Sequence, residues 1–225
     1  MKKIKLQWAK IIIIALYFFL IAGGLWHILG VFQTLMSILA APLVIALSII
    51  VFTATYRILN DKKIRSILLL WAILVIVGSF VIELVGVKTG KIFGQYAYGG
   101  TLRPILFGVP TAIGFAWLCM LLTSAAVFQR ILPKFLDCNF VVQAVSISML
   151  MVLFDIVMEP AAMKLGYWTW LGSSIPIQNF LAWFVISLFF AIIAVRIGLY
   201  KEKLPTIVFH AYFAQLIYFG LVILK

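Results

Sequence analysis

The sequence predicts an all-α protein, a polytopic bundle of about seven transmembrane helices in which residues 1–225 form a single membrane domain. Three observations predict it. Of the 225 residues, 66% are hydrophobic and 11% are charged, with a mean hydropathy of +1.22, far from the composition of a soluble domain. Apolar runs of about 20 residues recur along the chain, each long enough to cross a hydrocarbon layer about 30 Å thick. The basic residues are dense in alternate connections and sparse in the others, the pattern of a chain that crosses a membrane repeatedly. Such runs are helices, because backbone groups in lipid must bond within their own segment.

The expected spans are 8–29, 34–58, 66–85, 105–128, 139–159, 177–200 and 205–224. The first follows a basic start, "MKKIK", as a signal peptide would. Its apolar run is too long for a signal core and no small-x-small site follows, so it is the first helix. The third carries Glu83 near its end. The fifth ends in "LFDIVMEP", where Asp155 and Glu159 share a helix face one turn apart and Pro160 is expected to stop the helix.

Charge fixes the expected topology. Lys2, Lys3, Lys5, Lys10, Arg57, Lys62, Lys63, Arg65, Arg130, Lys134, Arg196, Lys201 and Lys203 fall on one side of the membrane. Only Lys88, Lys91, Arg103, Lys164 and Lys225 fall on the other. The net charge of +12 is therefore a topology signal and not a nucleic-acid surface. It places the chain in the cell (inner or plasma) membrane, with the N-terminus cytoplasmic. Cys119 in mid-membrane and Cys138 in a cytoplasmic loop have neither disulfide nor metal-ligand spacing.

Two connections differ from the rest, 86–104 and 160–176, both rich in Gly, Pro and aromatics. Each follows an acid-bearing helix. After the first comes "VPTAIGFAW" (109–117) and after the second "IPIQNFLAW" (175–183), which share an apolar-Pro-x5-Ala-Trp spacing. The loops also align in kind: Gly94, Tyr96 and Tyr98 against Gly166, Trp168 and Trp170. The expectation is a parallel internal repeat, units 66–128 and 139–200 (helices 3–4 and 5–6), with its axis along the membrane normal. Both acidic ends would then meet near the outer leaflet, with helices 1, 2 and 7 packed around them.

A carboxylate in mid-membrane costs about 2.5–3.5 kcal/mol on insertion scales, so the acids are the strongest candidates. Crowded, desolvated carboxyls do not all ionise; one keeps its proton beside an ionised partner, which supplies an acid and a base in one pocket. Asp155, Glu159, Glu83 and Asn179 are the expected catalytic set, with Asn179 bonding a carboxylate or water. Tyr96, Tyr98, Trp168, Trp170, Trp117, Trp183 and His27 are the expected substrate-binding set, with Tyr167 beside them. Interfacial belts are rich in Trp and Tyr anyway, but ring faces above buried acids also suit a carbocation. Gln178 is a weaker candidate for hydrogen bonding. His210 lies near the inner end of helix 7 and reads as structural. The spacing calls for no metal and no cofactor, and neither a phosphate loop nor a Ser–His–acid arrangement is present.

"ELVGVKTGKIFGQYAY", "LFGVPTAIGFAW", "DIVMEP", "LGYWTW" and "IPIQNFLAW" together resemble the integral-membrane carotenoid biosynthesis family that includes the carotenoid 1',2'-hydratases. The resemblance covers Glu83 to Trp183. Ile92 and Ala182 stand where many members have Pro and Gly, and Gln178 where a small polar residue is common. The resemblance implies hydration of the terminal 1,2 double bond of an acyclic carotenoid: protonation, a tertiary cation, then addition of water. Asp155 would donate the proton, Glu159 or Glu83 would orient water, and Asn179 would hold the pair. The implied partners are membrane lipid and a carotenoid substrate. A carotenoid end-group cyclase, a pigment or lipid carrier and a proton-coupled transporter are the rival readings. The transporter is disfavoured because polar residues do not continue the acid cluster to the inner side.

Overall fold

A computed structural model describes residues 2–133, 139–172 and 174–225. Its helices are α1 (Lys2–Leu29), α2 (Gln33–Ile58), α3 (Lys62–Thr89), α4 (Ala112–Ile131), α5 (Phe140–Lys164), α6 (Ile177–Arg196) and α7 (Thr206–Ile223). Among the described residues all seven are long and apolar enough to cross a membrane, and the protein is a multi-pass membrane protein. Strands β1 (Tyr96–Tyr98), β2 (Ile105–Leu106), β3 (Val109–Pro110) and β4 (Trp168–Trp170) lie in the two long connections. The expected place of Cys138 falls outside the described residues.

The bundle is built around α4, which is 89% buried, against 17–33% for the other spans. Its sequence explains this. Gly114, Ala112, Ala116, Ser124, Ala125 and Ala126 are small, and small residues let helix backbones approach closely where lipid offers no hydrophobic drive. A Cβ at Gly114 would collide with the Ile76 carbonyl of α3. Helix α4 packs on α2, α3, α5 and α7, while α5 packs on α6 and α1 on α7.

Two expected boundaries are corrected. Residues 105–110, expected as the start of the fourth helix, form the β2–β3 hairpin, with Leu106 opposite Val109. Phe107 and Gly108 turn it with positive φ of 52° and 89°, the conformation of a two-residue hairpin turn. Pro160, expected to stop the fifth helix, lies inside it. The helix ends instead at Gly166, whose φ is 68°; there Gly166 N–H donates to Met163 O and Tyr167 N–H to Ala162 O. Proline removes one helical hydrogen bond but leaves φ helical, and left-handed glycine is what terminates the segment. Glu159 therefore sits a full turn inside α5 and not at a water-exposed tip.

The two long connections meet. β1 and β4 pair antiparallel, with Tyr96 opposite Trp170, Ala97 opposite Thr169 and Tyr98 opposite Trp168. Gly99 N–H donates to Tyr167 O at 2.8 Å and Leu171 N–H to Gln95 O at 3.0 Å, extending the ladder at both ends. A Cβ at Gly99 would strike the Gly166 carbonyl, so the strands close only with glycine there. This ribbon caps one end of the bundle over α3, α4, α5 and α6.

Candidate active site

Under the ribbon lie two glutamates, each with its own set of donors. Glu83 projects from α3, six residues before its end. Its Oε2 accepts from Tyr96 Oη at 2.5 Å and Tyr98 Oη at 2.9 Å, and its Oε1 from Trp117 Nε1 at 3.2 Å. Glu159 projects from α5, five residues before its end. Its Oε2 accepts from Trp168 Nε1 and Trp170 Nε1, both at 2.9 Å, and its Oε1 from Asn179 Nδ2 at 3.1 Å. The alternation of a strand puts Tyr96 and Tyr98 on one face of β1, and Trp168 and Trp170 on one face of β4. Each strand therefore aims two polar tips at one carboxyl.

Glu83 is 5% exposed and Glu159 2%. Among the described residues no cation pairs with either, and Arg103 donates to the Gly100 carbonyl instead. Three donors each replace the water that burial removes; hydrogen bonds to a charged acceptor contribute about 1.5–3 kcal/mol apiece. The Tyr96 and Tyr98 phenols, in the loop outside the spans, are held above the ordinary tyrosine value by burial first and the Glu83 carboxylate second. They remain neutral hydroxyls.

Asp155 lies one turn below Glu159 and is fully buried. Asn179 Nδ2 donates to its Oδ2 at 2.9 Å as well as to Glu159, so one amide ties the two acids together. Asp155 Oδ1 is buried without a hydrogen-bond partner among the described residues. Among those residues no group of three or more His, Cys, Asp or Glu could hold a metal ion.

Both glutamates and Asn179 open on a cavity of about 90 Å³. Its wall includes Tyr96, Tyr98, Tyr167, Trp168, Trp170, Trp117 and Trp183. The indoles of Trp117 and Trp183 stack at 4.3 Å with planes 22° apart, Tyr96 meets Trp170 at 5.1 Å and Tyr98 meets Trp168 at 6.0 Å. Away from the acids the wall is apolar, reaching Cys119 and Met120 on α4, Val44 on α2 and Phe219 on α7. From Ala112 to Met120 the wall follows α4 for about 12 Å at about 1.5 Å per residue. The cavity thus has a polar end under the ribbon and an apolar end toward the middle of the bundle.

The structure brings most of the expected residues together and separates two of them. Asp155 is not on the cavity wall; it stands behind Asn179. His27 lies in a second, smaller cavity, where its Nε2 is 3.1 Å from Tyr218 Oη. Gln178 donates to the Lys91 carbonyl, and His210 bonds Tyr17 at 3.1 Å. Sequence reasoning missed Val44, Phe154, Gln215 and Phe219 on the wall. Helices 2 and 7 were expected only to pack around the site. Nothing in an ordinary apolar residue of a membrane helix marks it as facing a cavity, whereas Gln215, a polar residue in an apolar run, carried a signal that could have found it.

A family model described as "Carotenoid biosynthesis protein" matches residues 32–224. The chain belongs to this family. All the residues that hold the two glutamates fall inside the matched region. A bisanhydrobacterioruberin hydratase from Haloarcula japonica is 30% identical over 109 residues, covering 47% of this chain and 37% of the relative. The match thus spans little more than a third of that relative's length. No solved structure gives a significant match.

Proposed function

We propose that this family member is an enzyme that hydrates the terminal 1,2 double bond of an acyclic carotenoid end group, with the acids facing the outer leaflet. The observation that carries the reading is the pair of cavity-facing glutamates beneath an aromatic roof, opening onto an apolar slot. An isolated alkene has no polar handle, so its hydration needs a strong positioned acid, cation stabilisation and a base for water. The distant hydratase relative supports the same chemistry.

The donors divide the roles. An indole N–H and an amide N–H can only donate, so Glu159 sits in a cradle that suits a carboxylate. A phenol hydroxyl can turn and accept, so Tyr96 and Tyr98 can satisfy Glu83 with or without its proton. In this reading Glu83 gives its proton to the inner, chain-side CH carbon of the alkene, and the π pair forms the new C–H bond. The positive charge moves to the tertiary carbon beneath the Trp117–Trp183 stack and near the Glu159 carboxylate. Water then forms the C–O bond while one of its protons passes to Glu159, and proton transfer back to Glu83 completes the cycle. Asp155 and Asn179 position Glu159 rather than touch substrate, which moves the donor role expected for Asp155 to a residue on the wall.

The same reading includes the duplication. Equivalent strands pair with each other in a symmetric register, the two end bonds of the ladder exchange equivalent partners, and the two equivalent tryptophans stack. Such self-complementary contacts are those of a two-fold interface.

The apolar wall favours one second reading, an end-group cyclase, in which the same cation loses a proton before water reaches it. Mass spectrometry of pigments from a host that makes acyclic carotenes decides between them. A product heavier by one water, absent with Glu83→Gln, is the expected result. A rearranged product of unchanged mass establishes the cyclase, and unchanged pigment on every acyclic carotene offered overturns both.

A further inference from the structure

Hydration consumes water at a place the structure surrounds with aromatic and aliphatic side chains. The water must come from somewhere, and the apolar end of the slot runs into the middle of the bundle. Beside the slot lies the second cavity, of about 70 Å³, several times the roughly 10–15 Å³ that one water needs. Its lining differs in kind: His27, Gln33, Ser37, Thr101 and Lys164 carry polar groups toward it. A water here would find the two to four polar partners that hold ordered water in place.

The cavity is graded from the protein's surface to the site. Ser37 and Lys164 are exposed, whereas His27, Ala40 and Tyr167 are each only 8% exposed. It is walled by the end of α1, the start of α2 and the end of α5, the same end of the bundle as the β1–β4 ribbon. Tyr167 belongs to both cavities. Its phenol lies beside that of Tyr218, and Tyr218 Oη in turn meets His27 Nε2 at 3.1 Å. Burial, and then Tyr218, hold the Tyr167 phenol above the ordinary tyrosine value, so it remains a neutral hydroxyl able both to donate and to accept.

We propose that the His27–Ser37–Lys164 cavity is a water-binding antechamber that feeds the active site through Tyr167, separating the water supply from the lipid-facing route of the carotenoid. The proposal rests on the hydratase reading for its purpose but not for its geometry. Two routes are needed on physical grounds. Water admitted along the slot would have to cross hydrocarbon, and an open aqueous mouth at the acids would quench the cation in an uncontrolled place. A phenol gate between a wet chamber and a dry one delivers single waters to one side of the substrate.

The test uses the full chain in lipid nanodiscs, with Ala40→Leu to fill the buried end of the antechamber and Ser37→Leu to block its exposed mouth. Neither residue lines the catalytic cavity. Hydroxyl-radical footprinting reads water beside Tyr167: the expected result is labelling of Tyr167 in the native chain and a several-fold fall in both variants. In deuterium oxide with an acyclic carotene, the variants are expected to lose most hydrated product. They still exchange deuterium into unhydrated carotene, because protonation persists while water capture fails. An unlabelled Tyr167 in the native chain overturns the proposal, and so does native-like hydration in both blocked variants. Labelling that the variants abolish, in a protein that hydrates none of the carotenes offered, would instead overturn the hydratase reading and leave the antechamber standing.

Discussion

The two glutamates occupy matched positions and are held differently. Glu83 has two phenols and an indole, and Glu159 has two indoles and an amide. One cradle contains donors that can reverse and the other contains donors that cannot. If a duplicated unit gave rise to both, the change from Tyr at β1 to Trp at β4 is what gave equivalent carboxyls different donors, which the proposed mechanism uses as an acid and a base. In that mechanism a carboxyl's role is set by the chemistry of its donors as much as by its depth in the membrane.

The comparison breaks most directly by removing either carboxyl. Glu83→Gln and Glu159→Gln are each expected to lower the hydration rate by about 10²–10⁴-fold, the range of a lost acid or base. Deuterium exchange into substrate tells them apart: it should vanish with Glu83→Gln and persist with Glu159→Gln. Exchange lost in Glu159→Gln and kept in Glu83→Gln would reverse the assignment.

Asn179→Leu is next. It leaves two buried carboxyls short of a donor, each at a cost of about 1–3 kcal/mol or more, and should lower both activity and melting temperature. Asp155→Asn keeps a polar side chain off the wall, so its loss of rate should be clearly smaller than that of Glu159→Gln. A loss equal to that of Glu83→Gln would return the donor role to Asp155.

Swapping the cradles sharpens the contrast further. Tyr98→Phe removes one reversible donor and Trp168→Phe one fixed donor, each expected to cost about tenfold or less in turnover. The smallest expected effect concerns pH. Tyr96 and Tyr98 are held above the ordinary value near 10, so neutral phenols persist through that range. The rate profile should show no limb from their ionisation up to about pH 10, and a limb there that disappears in Tyr98→Phe would contradict it.

Much of this was legible in the sequence because lipid is a demanding solvent. Helix number follows from run length, and acids in apolar runs stand out because nothing structural requires them. The paired motifs ending in Trp117 and Trp183 could be read from spacing alone. The end of α5 could not be, because Pro160 and Gly166 both look like stops, and only the backbone shows that the helix runs through Pro160 and ends at left-handed Gly166. The β2–β3 hairpin was hidden for the opposite reason: Ile105, Leu106 and Val109 are as apolar as a helix start, and the turn at Phe107 and Gly108 is a local backbone choice.

By itself the sequence determined that the chain crosses a membrane, where its polar side chains concentrate, and which acids and aromatics are worth attention. Only the tertiary structure decided that β1 and β4 pair, that Glu83 and Glu159 share a cavity, that Asp155 stands behind Asn179, and that His27 lines a separate cavity. The physical reason is reach. Hydrophobicity and helix period act over a few residues and are written in order along the chain. Donor geometry and cavity walls arise between residues as far apart as Tyr96 and Trp170, and are fixed only when the helices that carry them have packed.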